Sequence, residues 1–444
     1  MPMNTDSART IESSTPAAEP YGWLDRGLRR RLLGQMQGLR ECQLDIIDAL
    51  GEVTLGTPAA HSDDTLRATI EVLDPAFYRH VAGNGSVGAG EAYMQGWWRS
   101  DDLVSLMRML VRNRSLLDAM ETGMARFAGI AMRAWHALQR NTRGGSRRNI
   151  AAHYDLGNEF FRLFLDENLM YSSAVFTHAS ESLETASTRK LDRICRKLAL
   201  SPHDRIVEIG SGWGGFAIHA ARNYGCHVTT TTISREQHAL ASERVRAAGL
   251  SERVEVLHED YRDLRGRFDK LVSIEMIEAI GHQYLDVYFG KLGSLLEEHG
   301  MALVQAITIE DHRYAQALRA VDFIKRHIFP GSFIPSVSAM LDAAARSSDL
   351  KLFQLEDIGP SYAQTLAAWR ERFHQHLPEV RALGYDERFV RMWDFYLAYC
   401  ESGFRERSTG TVQMLLTRPR CRRAQLLTDL DLTRVDPTRL DATL

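Results

Sequence analysis

Cysteine is scarce in this 444-residue chain, and the five that occur, Cys42, Cys195, Cys226, Cys400 and Cys421, lie far apart. An odd number at such spacing makes neither a disulfide framework nor a metal-ligand set. No metal is expected, and a reducing, cytoplasmic setting is. Long apolar runs are missing as well: nothing approaches the ~18 residues of a membrane-spanning helix, and residues 1–19 lack the apolar core of a signal peptide. Neither sign of charge dominates. The net charge of −3 excludes a broad nucleic-acid-binding face, so no nucleic acid is expected as partner. Internal repeats are absent.

The composition that remains, 44% hydrophobic and 25% charged, is that of an ordinary globular protein with room for two domains. Residues 1–20, rich in Ser, Thr, Ala and Pro, read as a disordered tail. Residues 21–139 read as a small, mainly helical domain with short strands near 52–55 and 66–72. Its glycine cluster, 83–90, reads as a structural turn, because no strand precedes it to make a phosphate loop. A helix is expected over 115–138, where Leu116, Met120, Met124, Phe127, Ala131, Ala134, Trp135 and Leu138 share one face. A basic linker follows at 140–149, with Arg140, Arg143, Arg147 and Arg148 and no acid. Two readings of it stand: contact with anionic lipid headgroups, or a solvated hinge after a helix packed on the second domain.

From residue 150 to about 435 strand candidates alternate with helices, at 205–209, 226–231, 254–257, 270–274 and 302–307. This predicts an α/β, doubly wound sheet. Candidates at 350–356 and 411–416 are expected to close one edge antiparallel, and the aromatic-rich stretch 311–373 reads as an insertion capping a pocket.

The most informative segment is Val207-Glu208-Ile209-Gly210-Ser211-Gly212-Trp213-Gly214-Gly215-Phe216-Ala217. A short buried strand runs into four glycines and then a helix. Such a turn lets the backbone approach a nucleotide closely while the first N–H groups of the helix face it. A dinucleotide site would carry an acid about 20 residues on, at the end of the next strand. Here that strand ends in Thr230-Thr231-Thr232-Ile233-Ser234, with no acid. Glu208 instead precedes the glycines, and Asp260-Tyr261 closes the third strand. Carboxylates suit the ammonium and sulfonium of S-adenosylmethionine, and Tyr261 suits its adenine.

Seven ordered segments carry a family likeness: His153-Tyr154-Asp155-Leu156-Gly157-Asn158, Met170-Tyr171-Ser172-Ser173-Ala174, Glu208 to Gly215, Thr232-Ile233-Ser234-Arg235-Glu236-Gln237, Asp260-Tyr261-Arg262-Asp263-Leu264, Glu275-Met276-Ile277-Glu278-Ala279-Ile280-Gly281-His282, and Ile328-Phe329-Pro330-Gly331. In this order they resemble the cyclopropane fatty acid synthases, and the likeness covers roughly residues 85–407. The resemblance implies a class I methyltransferase fold and transfer of a methyl carbon from S-adenosylmethionine to the cis double bond of an unsaturated acyl chain. The chain would belong to a phospholipid of the membrane bilayer, met by a peripheral enzyme at the inner face. A homodimer is implied as well. Ring closure then requires a base, which the resemblance implies is a bound bicarbonate. Glu278 and Tyr362 match its side-chain ligands, and Ile307 a backbone contact. Two positions depart from the pattern: Ser173 stands where many members have cysteine, and Gln305 where they have a histidine that contacts the bicarbonate. Glutamine cannot carry a proton at neutral pH, so a methylated or methylene chain remains an alternative product. A lipid- or nucleoside-binding relative without catalysis is a lesser one. For the cofactor, the resemblance implies Tyr171, Ser172, Glu208, Gly210, Ser211, Gly212, Trp213, Gly214, Thr232, Ser234, Gln237, Tyr261 and Arg262.

Overall fold

The computed structural model describes residues 21–61, 65–116 and 156–426. The terminal tail, the helix expected beyond Leu116, the basic linker, and His153 and Tyr154 lie outside the described residues.

Among the described residues, the N-terminal unit joins three helices to a four-stranded sheet. The helices are α1 (Trp23–Met36), α2 (Ala76–Met94) and α3 (Leu103–Arg112). The strands are β1 (Cys42–Asp48), β2 (Gly51–Leu55), β3 (Leu66–Val72) and β4 (Trp98–Ser100), in the order β2-β1-β3-β4. Strands β2 and β3 match the sequence expectation; β1 and β4 add to it. Alternation puts Cys42, Leu44 and Ile46 of β1 and Leu66, Ala68, Ile70 and Val72 of β3 into the core. The glycine cluster 83–90 turns the chain, as expected, but within a helical element: α2 is two helical stretches joined across a kink at Gly85 (φ 56°, ψ −132°), which brings Gly88 against His80. The small residues serve close packing: a Cβ on Gly90 would stand 2.5 Å from the Phe323 ring.

The second unit is built on a seven-stranded sheet. Its strands are β5 (Arg205–Ile209), β6 (His227–Thr232), β7 (Val254–His258), β8 (Phe268–Ile274), β9 (Leu296–Ile309), β10 (Lys351–Asp357) and β11 (Thr409–Thr417). They run in the order β10-β11-β9-β8-β5-β6-β7. The five central and early strands are parallel, and β11 lies antiparallel between β9 and β10, as expected. Helices cover both faces. Ile194, Leu198, Phe216 and Ala220 pack on one side; Tyr288, Phe289, Leu292 and Met340 pack on the other. The chain winds outward from β5 through β6 to β7, then returns to β8 on the opposite flank. The loops after β5 and β8 therefore diverge and leave a crevice, the place where an open parallel sheet binds ligands.

A third core cluster unites the two units. Phe77, Tyr78 and Met107 join Trp393, Phe395 and Leu397 of helix Glu387–Arg405. Polar ties reinforce it: Tyr93 Oη donates to Asp394 at 2.8 Å, and Arg108 and Arg112 reach Glu406 at 2.6 and 2.8 Å. Of the stretch expected to cap the pocket, residues between Arg313 and Ile334, with a π-helical turn at Ile324–Ile328, line the cavity described below, as do Tyr362 and Leu366. Helix Val337–Ser347 belongs instead to the layer packed on helix Leu285–Leu295.

Candidate active site

One cavity of about 750 Å³ runs from the crevice into the N-terminal unit. Its polar end is lined by the loop after β5. Gly210 and Gly212 take positive φ (96° and 49°), and nothing lies within 4 Å of where a Cβ on Gly212 would project. A bulky group can therefore lie against this backbone, with the start of helix Gly215–Tyr224 beyond it. Glu208 is 2% exposed and accepts a hydrogen bond from Thr230 Oγ1 at 2.6 Å; burial pushes its carboxyl up to about 8. Lys190, fully buried, donates to Ser172 Oγ at 2.9 Å, and burial brings its ammonium down to about 8. Tyr261 stands edge-on to Tyr288, and its hydroxyl is buried without a partner.

The expected cofactor residues divide by what they touch. Tyr171, Ser172, Glu208, Gly210, Ser211, Gly212, Trp213, Thr232, Gln237, Tyr261 and Arg262 all line the cavity. Ser234 and Gly214 are not among the lining residues. Ser234 caps helix Arg235–Ala247 by accepting from Gln237 N, and Gly214 caps helix Gly215–Tyr224. Thr232 and Gln237 are tied to one another, Oγ1 to Oε1, at 2.8 Å. Arg262 makes a two-pronged pair with Asp260 at 2.8 and 2.6 Å and lies over the Tyr261 and Tyr284 rings, which makes it a brace of its own loop.

Where the polar and apolar ends meet, two carboxylates from the loop after β8 face the cavity. Glu278 Oε1 accepts the Ile307 N–H at 2.6 Å, and Oε2 has no partner. Burial, and then the neighbouring Glu275, push its carboxyl up to about 8. Glu275, to which sequence reasoning gave no role, gathers the other expected residues. Tyr362 Oη donates to its Oε2 at 2.7 Å; Gln305 Nε2 and Ser173 N donate to its Oε1 at 2.8 and 3.0 Å. Gln305 and Ser173 are fully buried behind it. The orientation of the Gln305 amide follows from a relay. Lys197, which can only donate, bonds Gln413 Oε1 at 2.7 Å; Gln413 Nε2 then donates to Gln305 Oε1 at 3.0 Å, so Nε2 of Gln305 turns to Glu275.

Beyond the carboxylates the walls turn aromatic. Tyr362 stacks on Phe404 (4.4 Å, 28°), Tyr171 Oη and Tyr396 Oη lie 2.9 Å apart, and Phe329 and Phe395 complete this stretch. The cavity continues past Met107 and Val111 to Leu28, Leu32, Ile46 and Phe77 of the N-terminal unit. An elongated apolar molecule matches this shape, with its reacting atoms between the glycine loop and the paired carboxylates.

Comparison with known proteins places the chain in a family. The family model described as mycolic acid cyclopropane synthetase matches residues 141–414. The chain is 38% identical over 370 residues to the tuberculostearic acid methyltransferase UfaA1 of Mycobacterium tuberculosis, covering 82% of this chain and 86% of that one. It is 37% identical to the cyclopropane-fatty-acyl-phospholipid synthase of Escherichia coli K12, over 79% of this chain and 88% of that one. Among solved structures, the mycolic acid cyclopropane synthase CmaA1 complexed with SAH and CTAB superimposes with a TM-score of 0.57 at 28% identity, covering 61% of this chain and 98% of that one. The sheet is thus that of the class I methyltransferases, and the chain belongs to the mycolic acid cyclopropane synthetase family.

Proposed function

We propose that the protein transfers the methyl carbon of S-adenosylmethionine to the cis double bond of an unsaturated phospholipid acyl chain and closes a cyclopropane ring. The observation that carries this reading is one continuous cavity, whose glycine-loop end suits a charged nucleoside and whose aromatic end suits an acyl chain, with carboxylates at the junction. The bound sulfonium would supply an electrophilic methyl group. Glu208 and the open backbone at Gly212 would hold it, and Tyr261 would lie against the adenine. The cation that methylation leaves on the acyl chain needs a dry, electron-rich wall, which Tyr171, Phe329, Tyr362 and Phe404 provide. No described helix is long and apolar enough to cross a membrane; a peripheral enzyme working at the cytoplasmic face of the bilayer fits the reading.

Bicarbonate fits this site poorly. The Tyr362 hydroxyl, the Gln305 amide and the Ser173 N–H all donate to Glu275, and the Ile307 N–H donates to Glu278. These donors are already used. A second reading, a methylated or methylene chain, is favoured by the same observation: a proton acceptor fixed to the protein reaches only the C–H bonds its tether allows. The test is mass spectrometry with proton NMR on lipids from monounsaturated phospholipid vesicles incubated with the enzyme and S-adenosylmethionine. A gain of about 14 Da, one CH₂, with upfield ring protons supports the cyclopropane. The same gain with vinyl protons retained supports the second reading, and no gain sinks both.

A further inference from the structure

We propose that Glu275 is the catalytic base of this enzyme, a carboxylate of the protein's own seated on the donors that a bound bicarbonate would need. The inference rests on the methyl transfer proposed above.

An ionised carboxylate offers about four lone-pair positions. Gln305 Nε2 and Ser173 N take both at Oε1, and Tyr362 Oη takes one at Oε2. One position, on Oε2, stays open in a side chain that lines the cavity. That is the arrangement of a base held in place with a single direction of attack. Its neighbour complements it. Two close carboxylates in a dry pocket do not both ionise. Burial raises both carboxyls; at Glu275 three donors and Lys190 work against it, whereas Glu278 has one donor and a bare Oε2, so Glu278 is the one assigned the proton and Glu275 the charge.

The backbone supplies an independent observation. Glu275 sits at φ 50°, a left-handed conformation that residues with a side chain rarely adopt. The residue directly follows the end of β8, and its own N–H is held by Gln305 O at 2.8 Å.

The chemistry balances. The π pair of the double bond forms the new C–C bond as the C–S bond breaks and its electrons leave on sulfur. A C–H bond beside the resulting cation then breaks, its pair closes the ring or forms a new double bond, and the proton goes to Glu275 Oε2.

The test uses the full-length enzyme on monounsaturated phospholipid vesicles in buffer stripped of carbon dioxide, with bicarbonate then added back. The wild type is expected to turn over equally with and without it. Glu275→Gln should lose about 100-fold or more in rate while still binding S-adenosylhomocysteine. Glu275→Gly, whose backbone suits φ 50°, should fold, lie idle in stripped buffer and regain turnover with bicarbonate. A wild-type rate that collapses without bicarbonate and returns with it overturns the proposal, as does a Glu275→Gln enzyme of near-normal rate. A second readout needs no turnover: ¹³C-bicarbonate titrated by NMR into protein loaded with S-adenosylhomocysteine. Binding by Glu275→Gly and not by the wild type is expected, and binding by the wild type overturns the idea. If the wild type methylates no unsaturated lipid, the parent reading fails, while this titration still decides whether Glu275 fills the anion seat.

Discussion

Nothing local marks Glu275 in the sequence beyond its place three residues before Glu278. Its partners Tyr362, Gln305 and Ser173 lie 87, 30 and 102 residues away, and only the packed sheet brings them together. Lys190 was invisible for the same reason: a lysine on an amphipathic helix reads as solvated until the fold buries it. Two predictions belong here. Tyr362→Phe keeps the stack on Phe404 and removes one donor to an ionised group. At about 1.5–3 kcal/mol for such a bond, turnover should fall roughly ten- to a hundredfold with cofactor affinity unchanged; equal rates would show that the hydroxyl does not steady Glu275. The second concerns pH. Glu208 and Glu278 have folded-state values near 8 against an ordinary 4.5, so between those pH values the folded protein binds protons that the unfolded chain has lost. Stability therefore falls as pH rises through that window. Lys190, near 8 against 10.5, acts oppositely: its contribution is present above about 10.5 and is lost as pH falls through 8. The cofactor-free protein should show its melting temperature declining from pH 5 to 8, and Glu278→Gln should flatten that slope. An unchanged slope would mean that Glu278 is ionised in the empty site.

Among the elements, those with a strong local signature were legible and those without were not. The run Ile206 to Ile209 followed by glycines announces a buried strand and a tight turn, and β5 ends where expected. The end of β6 in threonines rather than an acid likewise survives in the structure, where Thr231 and Thr232 turn inward to Glu259 O and Gln237. In the N-terminal unit, β4 is three residues long and β1 mixes acids with its buried positions. Their identity as strands comes from pairing, which sequence alone does not display. The glycines of α2 have two uses: Gly85 breaks the helix, and Gly88 lets the second stretch pass close to the backbone of the first. A Cβ on Gly88 would stand 2.1 Å from His80 O, whereas one on Gly83 would meet nothing within 4 Å. Gly88→Ala should therefore destabilise by about 1–3 kcal/mol, and Gly83→Ala should be neutral or stabilising by about 0.5–1 kcal/mol. Urea unfolding of the two variants checks this, and equal midpoints would refute the close-packing account of the glycine cluster.

For the whole molecule, the decisive fact is that one cavity belongs to both units. The sequence reads as a small N-terminal part and a methyltransferase part, and the structure holds two separate sheets, β2-β1-β3-β4 and β10-β11-β9-β8-β5-β6-β7. Yet helix Glu387–Arg405, near the end of the chain, packs on α2 and α3, and the cavity passes beneath it into the N-terminal core. An acyl chain reacting near Glu278 would then extend between Met107 and Val111 toward Ile46 and Phe77. Each methylene buried there contributes about 0.8 kcal/mol. Val111→Trp, which fills this passage from a partly buried position, should displace two or three methylenes and cost about 2 kcal/mol. With a long monounsaturated chain kcat/KM should fall roughly 30-fold, while S-adenosylhomocysteine binding, measured by calorimetry at the far end of the cavity, should be unaltered. A shorter chain should lose less. If long and short substrates suffered equally, or not at all, the N-terminal chamber would hold no part of the substrate, and the acyl chain would have to leave the site by another route.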